Sequence, residues 1–221
     1  MAEVSVSILN VDKDGAVSKF YNLETAHVDY FHIDVMDGEF VENNNLSQML
    51  DYATTLSHIT LVEQDIHLMV KDVEEVLDEY LDLGQNRIAF HIEAMEGDKE
   101  RTMEIISTIK ENGNKVGLAI NPDTSIEEIF EYLPYIHYVL VMTVVPGKGG
   151  QALIEDTLDK IQVLKNYCEE NDIDIDIEAD GGITGDNCQS VRDAGANVLV
   201  SGVYLLKAEN LREAVDIIRG Q

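Results

Sequence analysis

Two histidines and two aspartates stand near the ends of three short segments of the 221-residue sequence. His32 and Asp34 lie in the segment HIDVMDG, His67 lies in DIHLM, and Asp180 lies in EADGG. Imidazole nitrogens and carboxylate oxygens are ligands of divalent metals, and two neighbouring carboxylates both stay ionised only beside a cation. The four residues therefore predict a site for one divalent metal ion. Two imidazoles favour a transition metal but do not distinguish Zn²⁺, Fe²⁺, Mn²⁺ and Mg²⁺.

The spacing of these residues suits strands whose side chains point into one site. His32 and Asp34 are two positions apart, so their side chains lie on the same side of a strand. Asp65 stands in the same relation to His67, and we expect its carboxylate to orient the His67 imidazole. A lone histidine is more often a structural residue than a ligand, so no function is assigned to the remaining four, which are His27, His58, His91 and His137.

Glycines are concentrated in the last third of the chain. Eight of the 15 glycines lie between positions 147 and 202, and they are Gly147, Gly149, Gly150, Gly181, Gly182, Gly185, Gly195 and Gly202. Glycine lets the backbone approach a ligand closely, and grouped backbone N–H groups form anion sites. Because so acidic a chain has few cations to spare, we expect these loops to bind a phosphate through backbone N–H groups, with one positive charge added by Lys148.

Eight strand-like runs alternate with segments of helical period along the chain. The runs cover residues 4–9, 30–34, 60–69, 87–91, 116–120, 138–143, 173–179 and 197–200. Apolar residues at helical spacing predict helices at 126–133 and 211–218, the first opened by a capping box of Thr124 and Glu127. One strand and one helix for about every 28 residues (221/8) predict an α/β fold, a (β/α)₈ TIM barrel made by a single domain, residues 1–221. An open doubly wound sheet is the alternative, but no GxGxxG follows the first run.

The chain is strongly acidic, with 15 Lys+Arg against 43 Asp+Glu and a formal net charge of −28. Such a surface repels nucleic acid and anionic membranes, so we expect neither as a partner. The two cysteines, Cys168 and Cys188, are too few for a disulfide framework and indicate a reducing compartment. No signal-peptide pattern is visible and the apolar runs are far shorter than a membrane span, so we expect a cytoplasmic protein.

The same segments resemble the ribulose-phosphate 3-epimerase family. The resemblance covers nearly the whole chain and is carried by residues 7–9, 32–41, 65–70, 117–122, 141–151 and 178–182. It implies a TIM barrel of the ribulose-phosphate-binding type, an isomerase of carbohydrate metabolism in the pentose phosphate pathway, and a homo-oligomer. The implied reaction interconverts D-ribulose 5-phosphate and D-xylulose 5-phosphate by two-aspartate proton transfer at C3 through a metal-stabilised enediolate.

The resemblance also implies roles for individual residues. Asp34 and Asp180 match the catalytic acid/base pair, and His32, Asp34, His67 and Asp180 match the metal ligands. Positions that contact the substrate are matched by Ser7, Met36, His67, Met69, Met142, Gly147, Lys148, Gly149, Gly150, Gly181, Gly182, Gly202 and Val203. A wall of flexible, polarisable methionines would suit a transient anion.

Several positions depart from the family pattern, and all lie at the predicted substrate rim. They are Asn10, Glu39, Glu42, Val145, Lys148 and Val203, where serine, histidine, proline, glutamate, phenylalanine and serine are usual. The departures leave two alternatives open: a six-carbon ketose phosphate such as D-allulose 6-phosphate as substrate, and a non-catalytic barrel that binds a sugar phosphate.

A decarboxylase on the same type of barrel, similar to the orotidine-phosphate decarboxylase group, is a further alternative. That group places Asp-x-Lys on its third strand. This chain has Asp65-Ile66-His67 there and therefore lacks the lysine.

Overall fold

The computed structural model describes all residues, 1–221, and contains eight strands that close into a barrel. The strands are β1 (Glu3–Ser7), β2 (Tyr30–Met36), β3 (Glu63–Met69), β4 (Arg87–His91), β5 (Lys115–Ile120), β6 (Tyr138–Met142), β7 (Asp176–Asp180) and β8 (Val198–Ser201). Each strand pairs in parallel with the next one in the sequence, and β8 pairs with β1. The predicted (β/α)₈ TIM barrel is therefore confirmed.

Helices fill the connections between the strands. The α-helices are α1 (Ala16–Thr25), α2 (Leu46–Ile59), α3 (Val73–Leu81), α4 (Lys99–Glu111), α5 (Asp156–Glu170), α6 (Cys188–Ala194), α7 (Val203–Leu206) and α8 (Leu211–Arg219). Two 3₁₀ helices, Ile92–Met95 and Ile126–Tyr135, follow β4 and β5. None of these helices combines the length and the apolar character that crossing a membrane requires.

The main apolar core lies outside the barrel, between its strands and the surrounding helices. In β2, the alternate residues Phe31, Ile33 and Val35 belong to this core of 58 buried residues. His32 and Asp34 lie between them in the sequence and therefore point the other way, into the barrel. Burial of this outer layer is the main favourable contribution to folding, so the barrel interior is free to carry polar residues.

The segment after β5 is a 3₁₀ helix, not the predicted α-helix. Its N-cap is Ser125, whose hydroxyl donates to the Glu127 carboxylate, so the capping box expected from Thr124 does not form. Pro134 lies inside this helix, and a proline cannot donate the backbone hydrogen bond that an α-helix needs. The strands β3 and β7 also begin three residues later than predicted. Thr60 is the C-cap of α2 and its N–H donates to Leu56, and the N–H of Ile173 donates to Cys168 of α5.

A buried arginine organises the end of the barrel interior where the strands begin. Arg87 is fully buried, and its Nη1 and Nη2 donate to Asp176 and Glu178 at 3.0 Å each. Its Nε lies 3.7 Å from Oδ1 of Asp65, and its guanidinium carbon lies 4.1 Å from the ring centre of Tyr138. A planar guanidinium can bind carboxylates in its plane and an aromatic ring on its face. Arg87 thus links β4 to β3, β6 and β7 across the interior.

We expect Arg87→Met to lower the free energy of unfolding by about 3–5 kcal/mol, because buried carboxylates would lose their cation. Urea unfolding followed by circular dichroism measures the loss. Arg212→Met is the control, since Arg212 pairs with Asp216 on the surface, its side chain is 49% exposed, and such pairs contribute about 0–1 kcal/mol. Equal losses in the two variants would contradict the stabilising role of Arg87.

Candidate functional site

The four predicted metal ligands lie together where the strands of the barrel end. The register of β2 and β3 places Asp34 opposite His67, and β7, which is not adjacent to them, contributes Asp180. His32 and His67 are fully buried, and the two aspartates are 5% and 8% exposed. One ligand atom from each residue lies within 4.8 Å of the others. We call these four residues the four-residue cluster.

Within the cluster, both imidazoles contact both carboxylates. Nε2 of His32 lies 3.3 Å from Oδ1 of Asp34 and 3.5 Å from Oδ2 of Asp180. Nδ1 of His67 lies 3.3 Å and 3.4 Å from the same two oxygens. Two nitrogens and two oxygens therefore surround a common centre, and the second oxygen of each carboxylate lies outside this group.

The electrostatics of the cluster favour positive charge. Burial disfavours the charged form of His32, but the carboxylates of Asp34 and Asp180 raise its pKa well above the ordinary value. Burial also opposes protonation of His67, and the same two carboxylates raise its pKa. Burial alone would raise the pKa of each aspartate, yet the neighbouring His32 lowers both. A field that draws protons onto buried imidazoles also attracts a metal cation in competition with those protons.

Asp65 does not contact the imidazole that we expected it to orient. Its Oδ2 lies 2.8 Å from Nδ1 of His32 and accepts a hydrogen bond of 2.7 Å from the Ser5 hydroxyl. The prediction for His67 was wrong because the register of β2 and β3 places Asp65 opposite His32, whereas His67 lies opposite Asp34. Glu178 lies 3.6 Å from the same Nδ1, and burial together with the Asp65 carboxylate raises its pKa to about 8.

A cavity of about 480 Å³ opens next to the cluster, and Asp34 and Asp180 line it. His32 and His67 lie buried behind them and do not line it, so His67 is the one predicted substrate contact that the cavity does not include. The other predicted substrate contacts all line the cavity, namely Ser7, Met36, Met69, Met142, Gly147, Lys148, Gly149, Gly150, Gly181, Gly182, Gly202 and Val203. The cavity thus brings together residues at the ends of the first three strands and residues between positions 142 and 208.

Ser7 holds one of the two carboxylates in place. Its hydroxyl donates to Oδ2 of Asp34 at 2.8 Å, and the backbone N–H of Leu9 donates to the Ser7 oxygen at 3.4 Å. The hydrogen bond from Ser7 uses the Asp34 oxygen that does not contact the imidazoles. Asp34 is therefore oriented from two sides, by the cluster and by β1.

The glycine loop after β7 brings its backbone against the cavity. Gly181 and Gly182 have φ values of +122° and +70°, a region that side chains disfavour. A Cβ at Gly181 would collide with Val144, and one at Gly182 would collide with the backbone of Leu153. Both positions therefore require glycine, and the backbone that they form lines the cavity next to Asp180.

The rim of the cavity carries two lysines, one of which the sequence did not indicate. Lys148 is 65% exposed, and its Nζ lies 3.4 Å from the Glu42 carboxylate, so its charge is partly balanced. Lys207, just after α7, also lines the cavity. It belongs to no motif, and only its position after the eighth strand could have pointed to it.

His91, to which no function was assigned, contacts a member of the cluster. Its Nε2 lies 2.9 Å from Nε2 of His67, and its Nδ1 lies 3.0 Å from Oε2 of Glu93. Burial lowers the pKa of His91. Burial alone would raise the pKa of Glu93, but the hydrogen bond to His91 lowers the pKa of this carboxylate to about 2. The signal that could have identified His91 is its place at the end of β4, where active residues of such barrels lie.

Comparison with known proteins identifies relatives over nearly the full length of the chain. The model of the "Ribulose-phosphate 3 epimerase family" matches residues 3–206. A ribulose-phosphate 3-epimerase of Synechocystis is 34% identical over 217 residues, which cover 98% of this chain and 92% of the relative. The enzyme of the same name from Schizosaccharomyces pombe is 38% identical over 194 residues, which cover 86% of this chain and 81% of the relative.

A solved structure resembles the barrel at much lower sequence identity. The 3-keto-L-gulonate-6-phosphate decarboxylase of Vibrio cholerae superposes with a TM-score of 0.72 at 13% identity, covering 100% of this chain and 97% of that one. Such a distant likeness shows the fold alone. The family match and the relatives above 30% identity decide the membership: the chain belongs to the ribulose-phosphate 3-epimerase family, whose members are isomerases.

Proposed function

We propose that the chain interconverts D-ribulose 5-phosphate and D-xylulose 5-phosphate, with one of Asp34 and Asp180 removing the proton at C3 and the other delivering a proton to the opposite face. The observation that carries the proposal is that both carboxylates line one cavity while contacting the same two buried imidazoles. Relatives named ribulose-phosphate 3-epimerase, including one from Escherichia coli that is 33% identical over 99% of this chain, support the choice of substrate.

The four-residue cluster fits one divalent metal ion. The imidazole nitrogens and carboxylate oxygens of the cluster lie 3.3–3.5 Å apart, close enough for all four residues to bind one ion, because metal bonds to such atoms are about 2.0–2.2 Å long. Nε2 of His32 is buried without a hydrogen-bond partner, which suits a ligand atom. The two imidazoles favour a transition metal. When bound, the cation supplies positive charge that stabilises the negative charge developing on the C2 oxygen of the substrate.

The two aspartates divide the proton transfer between the two faces of the sugar. C3 lies next to the C2 ketone, so removal of its proton leaves an enediolate. One carboxylate takes this proton, and the other aspartate, which takes up a proton from solvent before this step, delivers that proton to the opposite face of C3. The stereocentre inverts, the two aspartates exchange protonation states, and the reverse reaction uses them in the opposite roles. Ser7 keeps Asp34 oriented through its Oδ2 during the transfer.

The remaining cavity residues bind and shield the substrate. Met36, Met69 and Met142 are at most 2% exposed and form an apolar wall that limits access of water to C3. The backbone N–H groups of the glycine loops bind the phosphate, and Lys148 adds positive charge at the rim.

In D₂O, the wild-type protein should introduce deuterium at C3 of D-ribulose 5-phosphate and produce D-xylulose 5-phosphate, because the proton at C3 exchanges with solvent through the aspartates. Proton NMR measures both. Removal of metal with a strong chelator should stop the exchange, and adding back a divalent metal should restore it. Deuterium incorporation into D-allulose 6-phosphate but not into D-ribulose 5-phosphate would show that the substrate is the six-carbon sugar. Tight binding of both sugars without deuterium incorporation would contradict catalysis.

Asp34→Asn and Asp180→Asn should each lower kcat by at least roughly 10²–10⁴-fold, since each removes a group that accepts or delivers a proton. Both should also lower the metal content measured by mass spectrometry. Asp51→Asn, a change of the same kind on the exposed face of α2, should leave both quantities unchanged. Full activity of either site variant would contradict the two-aspartate mechanism.

Gly182→Ala should raise the KM for the sugar phosphate by about 10–100-fold, the effect of losing hydrogen bonds to a charged group, because the loop must shift to accept a Cβ. Gly113→Ala is a matched control: Gly113 also has a positive φ of +81°, but its Cβ would meet nothing within 4 Å. Steady-state kinetics of the two variants measure the KM for the sugar phosphate. A similar KM in both would argue against phosphate binding by this loop.

A further inference from the structure

We propose that Glu93 and His91 form a hydrogen-bond relay that determines which ring nitrogen of His67 carries its proton. The relay consists of three contacts in a row, from the backbone of Asn121 to Glu93, from Glu93 to His91, and from His91 to His67. The inference rests on the proposed function, because it takes the four-residue cluster as a metal site. Within the four-residue cluster, His91 forms a hydrogen bond only with His67, and Glu93 forms none. Both are therefore positioning residues, not catalytic ones.

The relay begins at Glu93, both of whose oxygens act as acceptors. Oε1 accepts a hydrogen bond of 2.8 Å from the backbone N–H of Asn121. Oε2 lies 3.0 Å from Nδ1 of His91. An ionised carboxylate has no proton to give, so His91 donates from Nδ1. In the neutral imidazole, Nε2 of His91 then carries only a lone pair.

The direction of this first bond determines the direction of the second. Nε2 of His91 lies 2.9 Å from Nε2 of His67, and two nitrogens at this distance share one proton. Because His91 can only accept there, His67 donates from Nε2. The lone pair of His67 is thereby placed on Nδ1, the atom that lies 3.3 Å from Asp34 and 3.4 Å from Asp180. A metal binds an imidazole through its lone pair, so the relay prepares His67 as a ligand.

Packing holds the His91 ring in place, and its two hydrogen bonds select the orientation that the relay needs. His91 is fully buried, and its ring lies between those of Phe40 and His67, at centroid distances of 4.7 Å and 5.0 Å. A half-turn of the ring would put carbon atoms where the two nitrogens now form hydrogen bonds. The orientation with both bonds is therefore strongly preferred.

The variant Glu93→Gln tests the relay because it exchanges an acceptor for a donor at nearly constant shape. The N–H of Asn121 holds the amide oxygen, so the amide nitrogen faces His91 and makes it accept at Nδ1 and donate at Nε2. That donor opposes the Nε2–H of His67. We expect the Zn²⁺ affinity, measured by competition with a chromophoric chelator, to fall about 10–100-fold. Glu96→Gln, an exposed change just after the same 3₁₀ helix, should keep the wild-type affinity.

A double variant separates the relay from a simple effect of charge. His91→Phe keeps a ring in place but removes both of its hydrogen bonds. If Glu93 acts through His91, the double variant binds Zn²⁺ as weakly as His91→Phe alone. A loss of Zn²⁺ affinity in the double variant equal to the product of the two single losses would overturn the relay. Circular dichroism establishes that each variant is folded, and Glu93→Gln with unchanged Zn²⁺ affinity would also overturn it.

Nitrogen NMR of the histidines supplies a readout that does not depend on a variant. In the Zn²⁺-loaded wild-type protein, His67 should carry its proton on Nε2 and its metal on Nδ1; a proton on Nδ1 would overturn the relay. Wild-type protein that binds no Zn²⁺ or other divalent metal would instead overturn the proposed metal site. Wild-type binding with an unaffected Glu93→Gln variant would leave that site standing and remove only the relay.

Discussion

Buried negative charge is the constraint on which the rest of this structure depends. Asp34, Asp65, Glu178 and Asp180 lie in one barrel interior and are at most 8% exposed, and the only permanently charged cation beside them is Arg87. Carboxylates cannot remain ionised and unpaired in a medium of low dielectric constant. The remaining charge must be balanced by a proton on Glu178, whose pKa is raised to about 8 by burial and by Asp65, by protons on the buried histidines, or by a bound cation.

The interior meets this demand in two layers, which His32 joins. Toward the strand beginnings, Arg87 contacts Asp65 and Glu178. Toward the strand ends lies the four-residue cluster. His32 spans the two layers, because its Nδ1 meets Asp65 while its Nε2 meets the cluster. Each imidazole of the cluster therefore has its second nitrogen occupied by a hydrogen-bond partner, Asp65 for one and His91 for the other, which leaves one nitrogen of each ring facing the common centre.

The barrel can tolerate such an interior because its stability comes from elsewhere. The apolar core of 58 buried residues lies between the strands and the helices, so the inward faces of the strands do not have to supply the main apolar packing. A solved structure with only 13% sequence identity has the same fold. The proposed chemistry uses a few inward residues at the strand ends, and in barrels of this kind such residues can change while the fold stays the same.

The sequence by itself determined the eight-fold alternation, the common side on which His32 and Asp34 lie and the glycine-rich loops at the strand ends, because strand period and strand ends are local properties. It did not determine partners across the barrel. Asp65 contacts His32 and not His67, and His91 joins His67, because those contacts depend on the register between neighbouring strands. Register and closure arise only when all eight strands pair, so the tertiary structure alone decided which buried charges share a proton.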